Sequence, residues 1–266
     1  MALRPEDIRA LGILTRSAAA LGLRIVIVGA NARWILAGES AGLRPTRDTD
    51  AVVAESTWSA FEALGRLLIG VGFTQSLPHR FRSSEGALID LIPFGPSVVQ
   101  DGRITWPTGE SMAVLGLEEA LSSAVRRTPA EGLELEIASE PAYVILKIVA
   151  YEERRHDRPH DVADLLIALE QYAEEGDRRF ELDRVAVDDR RLTWEEAGAY
   201  LLGTDVRRIA RPDSLATIVR FLDTIRDQDA RPIYHAITQA GRTVTEERRA
   251  EVFRLFRAFR AGVLPE

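Results

Sequence analysis

Asp48-Thr49-Asp50 and, forty residues on, Asp90 are the residues whose types and spacing could do chemistry. Side chains two apart on a strand point to one face, so Asp48 and Asp50 would project together from the strand that they open. Asp90 lies inside the apolar run Ala87-Leu88-Ile89-Asp90-Leu91-Ile92, where a buried charge needs compensation. Three carboxylates on rigid elements suit a hard divalent cation, which takes oxygen ligands and keeps waters for a substrate phosphate. Each part also has a plainer reading. An isolated D-x-D is more often a polar strand start, and Asp90 alone could pair with an arginine or lie on a solvated face.

The preceding turn, Val28-Gly29-Ala30-Asn31-Ala32, adds a second component. A glycine between strand and helix lets backbone N–H groups approach a phosphate, and the helix N-terminus adds a favourable field. Gly29 is therefore a candidate phosphate contact, although a single glycine there is usually just a turn, and the Asn31 side-chain amide can donate a hydrogen bond to a phosphate. Further along, Lys147 sits in Val144-Ile145-Leu146-Lys147-Ile148-Val149, an apolar helical stretch where a buried ammonium needs an anionic partner. A phosphate or Asp161 would supply one; a lysine snorkelling into water is the alternative.

The elements that must position these residues follow from periodicity. Pro5 to Ala18 has helical spacing, Arg24 to Gly29 is a β-branched run closed by glycine, and helical character resumes over Ala32 to Leu36. Asp50 to Ala54 reads as a strand, Trp58 to Val71 as a helix, Phe73 to Leu77 as a strand, and Ala87 to Pro93 as a strand ended by its proline. A short helix around Leu117 to Val125 and a half-buried strand, Leu133 to Ile137, follow. After Pro141 strand signals nearly vanish, and helices are expected over Tyr143 to Arg154, Pro159 to Tyr172, Trp194 to Leu202, Asp213 to Arg226 and Thr245 to Phe259. The expected fold class is α/β (α+β): a small mixed sheet with flanking helices in residues 1–140, then an all-helical region in residues 141–266.

The order strand-Gly-Ala, Asp-Thr-Asp on the next strand and an aspartate in a later strand resembles the DNA polymerase β-like nucleotidyltransferase superfamily. Arg44-Pro45-Thr46-Arg47-Asp48-Thr49-Asp50 is similar to the R-x-T-x-D-x-D stretch of its AbiEii-like toxin branch. Lys147, Arg154, Arg155 and then His160-Asp161-Val162-Ala163-Asp164-Leu165 resemble that branch's lysine helix and its K/R-D-x-x-D-L helix. The resemblance implies that Asp48, Asp50 and Asp90 bind magnesium, with manganese as the alternative, and that Asp90 helps to activate an acceptor hydroxyl. It implies that Gly29 and Ala30 contact the nucleotide phosphates, that Lys147 steadies the triphosphate, and that Asp161 lies near the lysine or metal while Asp164 supports packing. The implied activity moves an NMP from an NTP to an acceptor hydroxyl on RNA (tRNA) or protein, as the toxin of a toxin-antitoxin pair with a cognate antitoxin. The alternatives are transfer to a small aminoglycoside-type molecule, and a noncatalytic nucleotide- or partner-binding homologue. The chain departs from the pattern at Ala30 and Asn31, at Thr49 and at His160.

Composition narrows the remaining classes. With no cysteine there is no disulfide framework, thiolate metal site or cysteine nucleophile. No run approaches a membrane span and the N-terminus lacks a secretory pattern, so a cytoplasmic address without membrane partners is expected. A net charge of -7 disfavours whole-surface attraction to nucleic acid and leaves only a local basic patch. Arg248, Arg249, Arg254, Arg257 and Arg260 beside Phe253, Phe256 and Phe259 offer one, although an amphipathic helix on the core is the commoner origin of such a pattern. His156 and His160 flank a proline-interrupted segment and read as loop residues rather than zinc ligands. Trp34, Trp58, Trp106 and Trp194 read as packing residues.

Overall fold

The computed structural model describes residues 3–38, 46–155, 157–173, 176–182, 186–187 and 190–265. Arg44, Pro45 and His156 lie outside the described residues. The chain forms two compact units, residues 1–139 and 140–266.

The first unit runs α1 (Pro5–Ala20), β1 (Arg24–Val28), α2 (Gly29–Ala37), β2 (Asp48–Ala54), α3 (Trp58–Gly70), β3 (Thr74–Leu77), β4 (Arg80–Arg82) and β5 (Leu88–Phe94). It continues through β6 (Val99–Gln100), β7 (Arg103–Thr105), β8 (Ser111–Ala113), α4 (Leu117–Ser122), β9 (Val125–Ala130) and β10 (Leu133–Ile137). Seven strands form one mixed sheet in the order β3-β4-β5-β2-β1-β10-β9, and β6 to β8 form a separate small sheet. β2 is central, parallel to β5 and antiparallel to β1. Having a partner on each side, it buries Ala51, Val52 and Val53 completely, as the β-branched run requires. Its two aspartates come at the first turn of pleat, before the strand dives into the core.

β5 does not stop at its proline. Leu91 N–H bonds to His79 O, so the nitrogen of Pro93, two residues on, points to the same side, where β4 has already ended. The missing N–H therefore costs no ladder bond, and β5 stays paired with β2 through Phe94. The expected helix up to Val125 is also shorter: it ends at Ser122, and Val125 opens β9, which pairs antiparallel with β10.

The second unit is α5 (Glu140–Glu153), α6 (His160–Gln171), a short β11-β12 pair (Ala186–Val187, Arg190–Arg191), α7 (Trp194–Ile209), α8 (Pro212–Leu222), α9 (Arg231–Gln239) and α10 (Glu246–Val263). The region is helical as expected, with that pair of two-residue strands set between α6 and α7. Thr193 caps α7 in a reciprocal box with Glu196, satisfying two orphan donors at the helix start. α7 and α10 meet backbone to backbone. A Cβ on Gly203 would lie 2.2 Å from Phe259 O, and one on Gly262 2.1 Å from Tyr200 O. α10 buries Val252, Leu255, Phe256, Phe259 and Val263, while Arg248, Arg249, Arg254 and Arg260 form ion pairs with Glu170, Asp229, Glu196 and Asp223. The C-terminal arginines thus belong to a core-packed helix with paired charges. Among the described residues no helix is long and apolar enough to cross a membrane.

Candidate active site

Register brings the first-unit carboxylates together. Asp50 is the direct partner of Asp90 in the parallel β2/β5 pairing, so both side chains leave the same face, and Asp48 shares it by the two-residue period. Asp90 is 9% exposed, whereas Asp48 and Asp50 are half-buried. Thr46 Oγ1 donates to Asp48 Oδ1 at 2.9 Å and so orients the first carboxylate.

Gly29 has φ +71°, and a Cβ built there would lie 2.5 Å from Asp50 Oδ2. The carboxylate of Asp50 therefore fills the space that any other residue at position 29 would need. Here glycine is required twice, by its backbone conformation and by the approach of Asp50 to the start of α2.

Asn31 has a different task from the one expected. Its side chain is 8% exposed, and its Nδ2 donates to Asp48 O at 3.1 Å and Thr49 Oγ1 at 2.6 Å. The amide thus ties α2 to the start of β2 instead of being offered to a phosphate. Ala30 lies in the first turn of α2, beside Gly29.

A residue that sequence reasoning missed, Arg80, completes the arrangement. It stands directly opposite Asp90 in the antiparallel β4/β5 pairing. Its Nε donates to Asp90 Oδ1 at 2.7 Å, and its Nη2 reaches both Asp90 Oδ2 and, at 3.0 Å, Asp48 Oδ2. Hydrogen bonding to Asp90 raises the Arg80 pKa further above its already high value, against the opposing effect of burial, with the charges of Asp90, Asp48 and Asp50 adding to it. Arg33, one turn into α2, is fully buried, which nothing in its sequence neighbourhood signals.

The donor chemistry fits a hard divalent cation, since three carboxylates share one face of two adjacent strands. Their arrangement is another matter. Among the described residues no group of three or more acidic or histidine side chains is disposed to hold a metal ion. The guanidinium of Arg80 engages two of the three aspartates itself.

In the second unit, Lys147 of α5 faces α6. Its Nζ lies 2.8 Å from Asp161 Oδ1 and 2.6 Å from Asp164 Oδ2, two carboxylates brought onto one helix face by their three-residue spacing. Asp164, expected only to support packing, is a full partner of the lysine. The Lys147 side chain is 14% exposed and Asp161 1%. Burial works to lower the Lys147 pKa, but Tyr143, Asp164 and Asp161 outweigh it and raise the value. The ammonium stays charged and is already compensated.

A cavity of about 530 Å³ lies elsewhere in the first unit, lined by Trp58, Phe61, Leu77, Pro78, Phe81 and Trp106 among others. Trp58 and Trp106 pack edge to face with centroids 5.6 Å apart, as packing residues do. Asp48, Asp50 and Asp90 do not line this cavity.

No protein-family model matches the chain, and no curated protein matches it. Among solved structures, the antibiotic-resistance factor ANT(2'')-Ia is similar at 14% identity over 59% of this chain and 77% of that one, with a TM-score of 0.39. The lincosamide antibiotic adenylyltransferase LnuA, solved with lincomycin bound, is similar at 14% identity over 52% of this chain and 83% of that one, with a TM-score of 0.33. An antigenic nucleotidyltransferase-like protein from Paracoccidioides brasiliensis is similar at 18% identity over 82% of this chain and 95% of that one, with a TM-score of 0.41.

Proposed function

We propose that this protein is a divalent-metal-dependent nucleotidyltransferase that moves an NMP from an NTP to an acceptor hydroxyl. The observation that carries the reading is the register that sets Asp50 beside Asp90, with Asp48 on the same face and Gly29 tucked under Asp50 at the start of a helix. That combination unites oxygen ligands with a helix N-terminus suited to a phosphate.

Asp48, Asp50 and Asp90 would hold magnesium, or manganese, which would supply neutralisation of the triphosphate charge. The chain's own residues do the rest. Gly29 and Ala30 present backbone at the α2 N-terminus to the phosphates. Thr46 and Asn31 hold Asp48 and β2 in place. The acceptor oxygen bonds to the α-phosphorus, the bond to the pyrophosphate oxygen breaks, and the acceptor proton passes to Asp90. Catalysis of this kind is positioning and charge neutralisation, without a covalent enzyme intermediate.

For the acceptor we propose RNA, tRNA in particular, or a protein, with the chain acting as the toxin of a toxin-antitoxin pair. This rests on the R-x-T-x-D-x-D resemblance, whose threonine has a physical role here through its bond to Asp48. The test incubates each α-labelled NTP and magnesium with the purified protein and total RNA, wild type beside Asp50→Asn. Label on RNA from wild type alone supports the reading. Label on a protein or an aminoglycoside-type molecule alone moves the acceptor, and no transfer to any acceptor from any NTP refutes the activity.

A further inference from the structure

In the carboxylate cluster the position expected for a metal is contested by a side chain of the protein itself. The guanidinium of Arg80 sits between Asp48 and Asp90, hydrogen-bonded to both. Planar, delocalised and always charged, it matches a carboxylate fork far better than an ammonium could. Among the described residues no three carboxylates are disposed to hold a metal ion. The cluster has the ligands that a divalent cation wants, and an internal cation holding two of them.

The surroundings make Arg80 exchangeable rather than a fixed part of the core. It is the first residue of a three-residue strand and follows the Pro78-His79 turn, just beyond the shift in β3/β4 register between Gln75 and Leu77. Its side chain is 32% exposed, so the guanidinium can withdraw into water without disturbing packing. The next residue, Phe81, is completely buried and approaches Gly65 of α3, which pins the backbone beneath it. Side-chain rotation alone can therefore open the cluster. The freed guanidinium stays tethered at its rim, where a bidentate contact with a phosphate is its best alternative partner.

We propose that Arg80 is the resident counter-ion of the carboxylate site, displaced when a divalent cation enters and transferred to the triphosphate of the incoming nucleotide. The inference rests on the nucleotidyltransferase reading, and it gives metal and nucleotide binding a common switch. It predicts two effects of opposite sign from one substitution. Removing Arg80 relieves the competition for Asp48 and Asp90, so the metal alone binds more tightly. It also removes a phosphate contact, so the nucleotide binds more weakly once metal is present.

The full-length protein and its Arg80→Gln and Arg80→Lys variants are titrated with Mn2+ alone, read by the loss of the free-ion electron paramagnetic resonance signal. Each NTP is then titrated at saturating Mn2+ by calorimetry, and thermal melts check the fold. Asp50→Asn serves as the site control. Arg80→Gln should bind Mn2+ about tenfold more tightly, the discount from a full charge-assisted pair reflecting its partial exposure. It should bind the nucleotide about tenfold more weakly, with Arg80→Lys between it and wild type in both. If Arg80→Gln does not fold, the sign of the two shifts in Arg80→Lys decides. Equal Mn2+ affinity in wild type and variant, lost in Asp50→Asn, would overturn the exchange while leaving the metal site standing. Nucleotide affinity unchanged by the substitution would overturn the transfer to phosphate. Absence of Mn2+ binding from all folded proteins would remove the metal-dependent reading itself, and the exchange with it.

Discussion

Replacing Gly29 by alanine tests whether the approach of α2 to Asp50 matters to chemistry or merely to folding. Two effects follow from the geometry. The residue has φ +71°, and holding an L-residue there costs about 1–2 kcal/mol. The new Cβ would also lie 2.5 Å from Asp50 Oδ2, against an ordinary contact of 3.4 Å or more, so the carboxylate must move by about 1 Å. Gly22 supplies the control: it has φ +66° and nothing within 4 Å of an added Cβ. Both variants should lose about 1–2 kcal/mol in urea unfolding, the backbone effect they share. Only Gly29→Ala should lose nucleotidyl transfer, by roughly 100-fold, the scale expected when a reacting constellation is displaced by about 1 Å. If Gly29→Ala retains the transfer rate of Gly22→Ala, the placement of Asp50 against the helix start has no catalytic role, and the site as drawn is wrong.

Asn31→Ala should destabilise the fold by about 1–3 kcal/mol, because it strands the buried Thr49 hydroxyl and frees the start of β2; chemical denaturation with a loss below 0.5 kcal/mol (about the scale of a neutral surface change) would refute the tie. Gly203→Ala should cost about 3 kcal/mol or more, since its Cβ would meet a backbone oxygen at 2.2 Å and drive α7 from α10. A melt unchanged from wild type would contradict that packing. For Lys147 the folded pKa is raised above the ordinary 10.5, so the stabilisation from its carboxylates is fully present below the unfolded value. It is lost only as pH rises through the still higher folded value. The melting-temperature gap between wild type and Lys147→Met should accordingly stay constant from about pH 7 to pH 10. A gap closing within that window would show that the ammonium titrates as if it were free.

How much of this was legible beforehand differs by residue, for physical reasons. The mixed α/β core followed by helices was readable because its strands carry β-branched runs and its helices apolar periodicity. Asp48, Asp50 and Asp90 could be grouped because the first two share a strand period and the third interrupts an apolar run. Arg80 could not. Its strand has three residues and no apolar alternation, and its meeting with Asp90 is a matter of register between strands. The clue was the unpaired look of Asp90, which asked for an arginine without saying which. Asn31 misled for a related reason: a short amide after a glycine turn offers a donor, but the sequence does not show that it folds back on a strand seventeen residues away. Pro93 misled because a proline ends a strand only where its missing N–H faces a partner, and here β4 had already stopped. Val125 to Arg127 kept its strand hidden because two arginines replace the apolar alternation on an exposed edge.

Arg80 and Lys147 pose the same electrostatic question and receive different answers. Each cation is held by two aspartates, so neither stands as an uncompensated charge awaiting phosphate. Exchange requires giving up those partners, and its cost depends on how readily water replaces them. Arg80 has a side chain 32% exposed and can be resolvated as it leaves. Lys147 is 14% exposed and its partner Asp161 1%, so its departure would leave a buried carboxylate behind. On that ground Arg80 is the cation that exchanges, and Lys147 binds α5 to α6. Lys147→Met should therefore lower stability by roughly 3–5 kcal/mol and leave Mn2+ affinity unchanged in the folded protein, the reverse of the pattern expected for Arg80→Gln. A Lys147→Met protein of near wild-type stability that binds nucleotide far more weakly would return Lys147 to the triphosphate, as the resemblance implies, and would mean that α6 tolerates its two aspartates without the lysine.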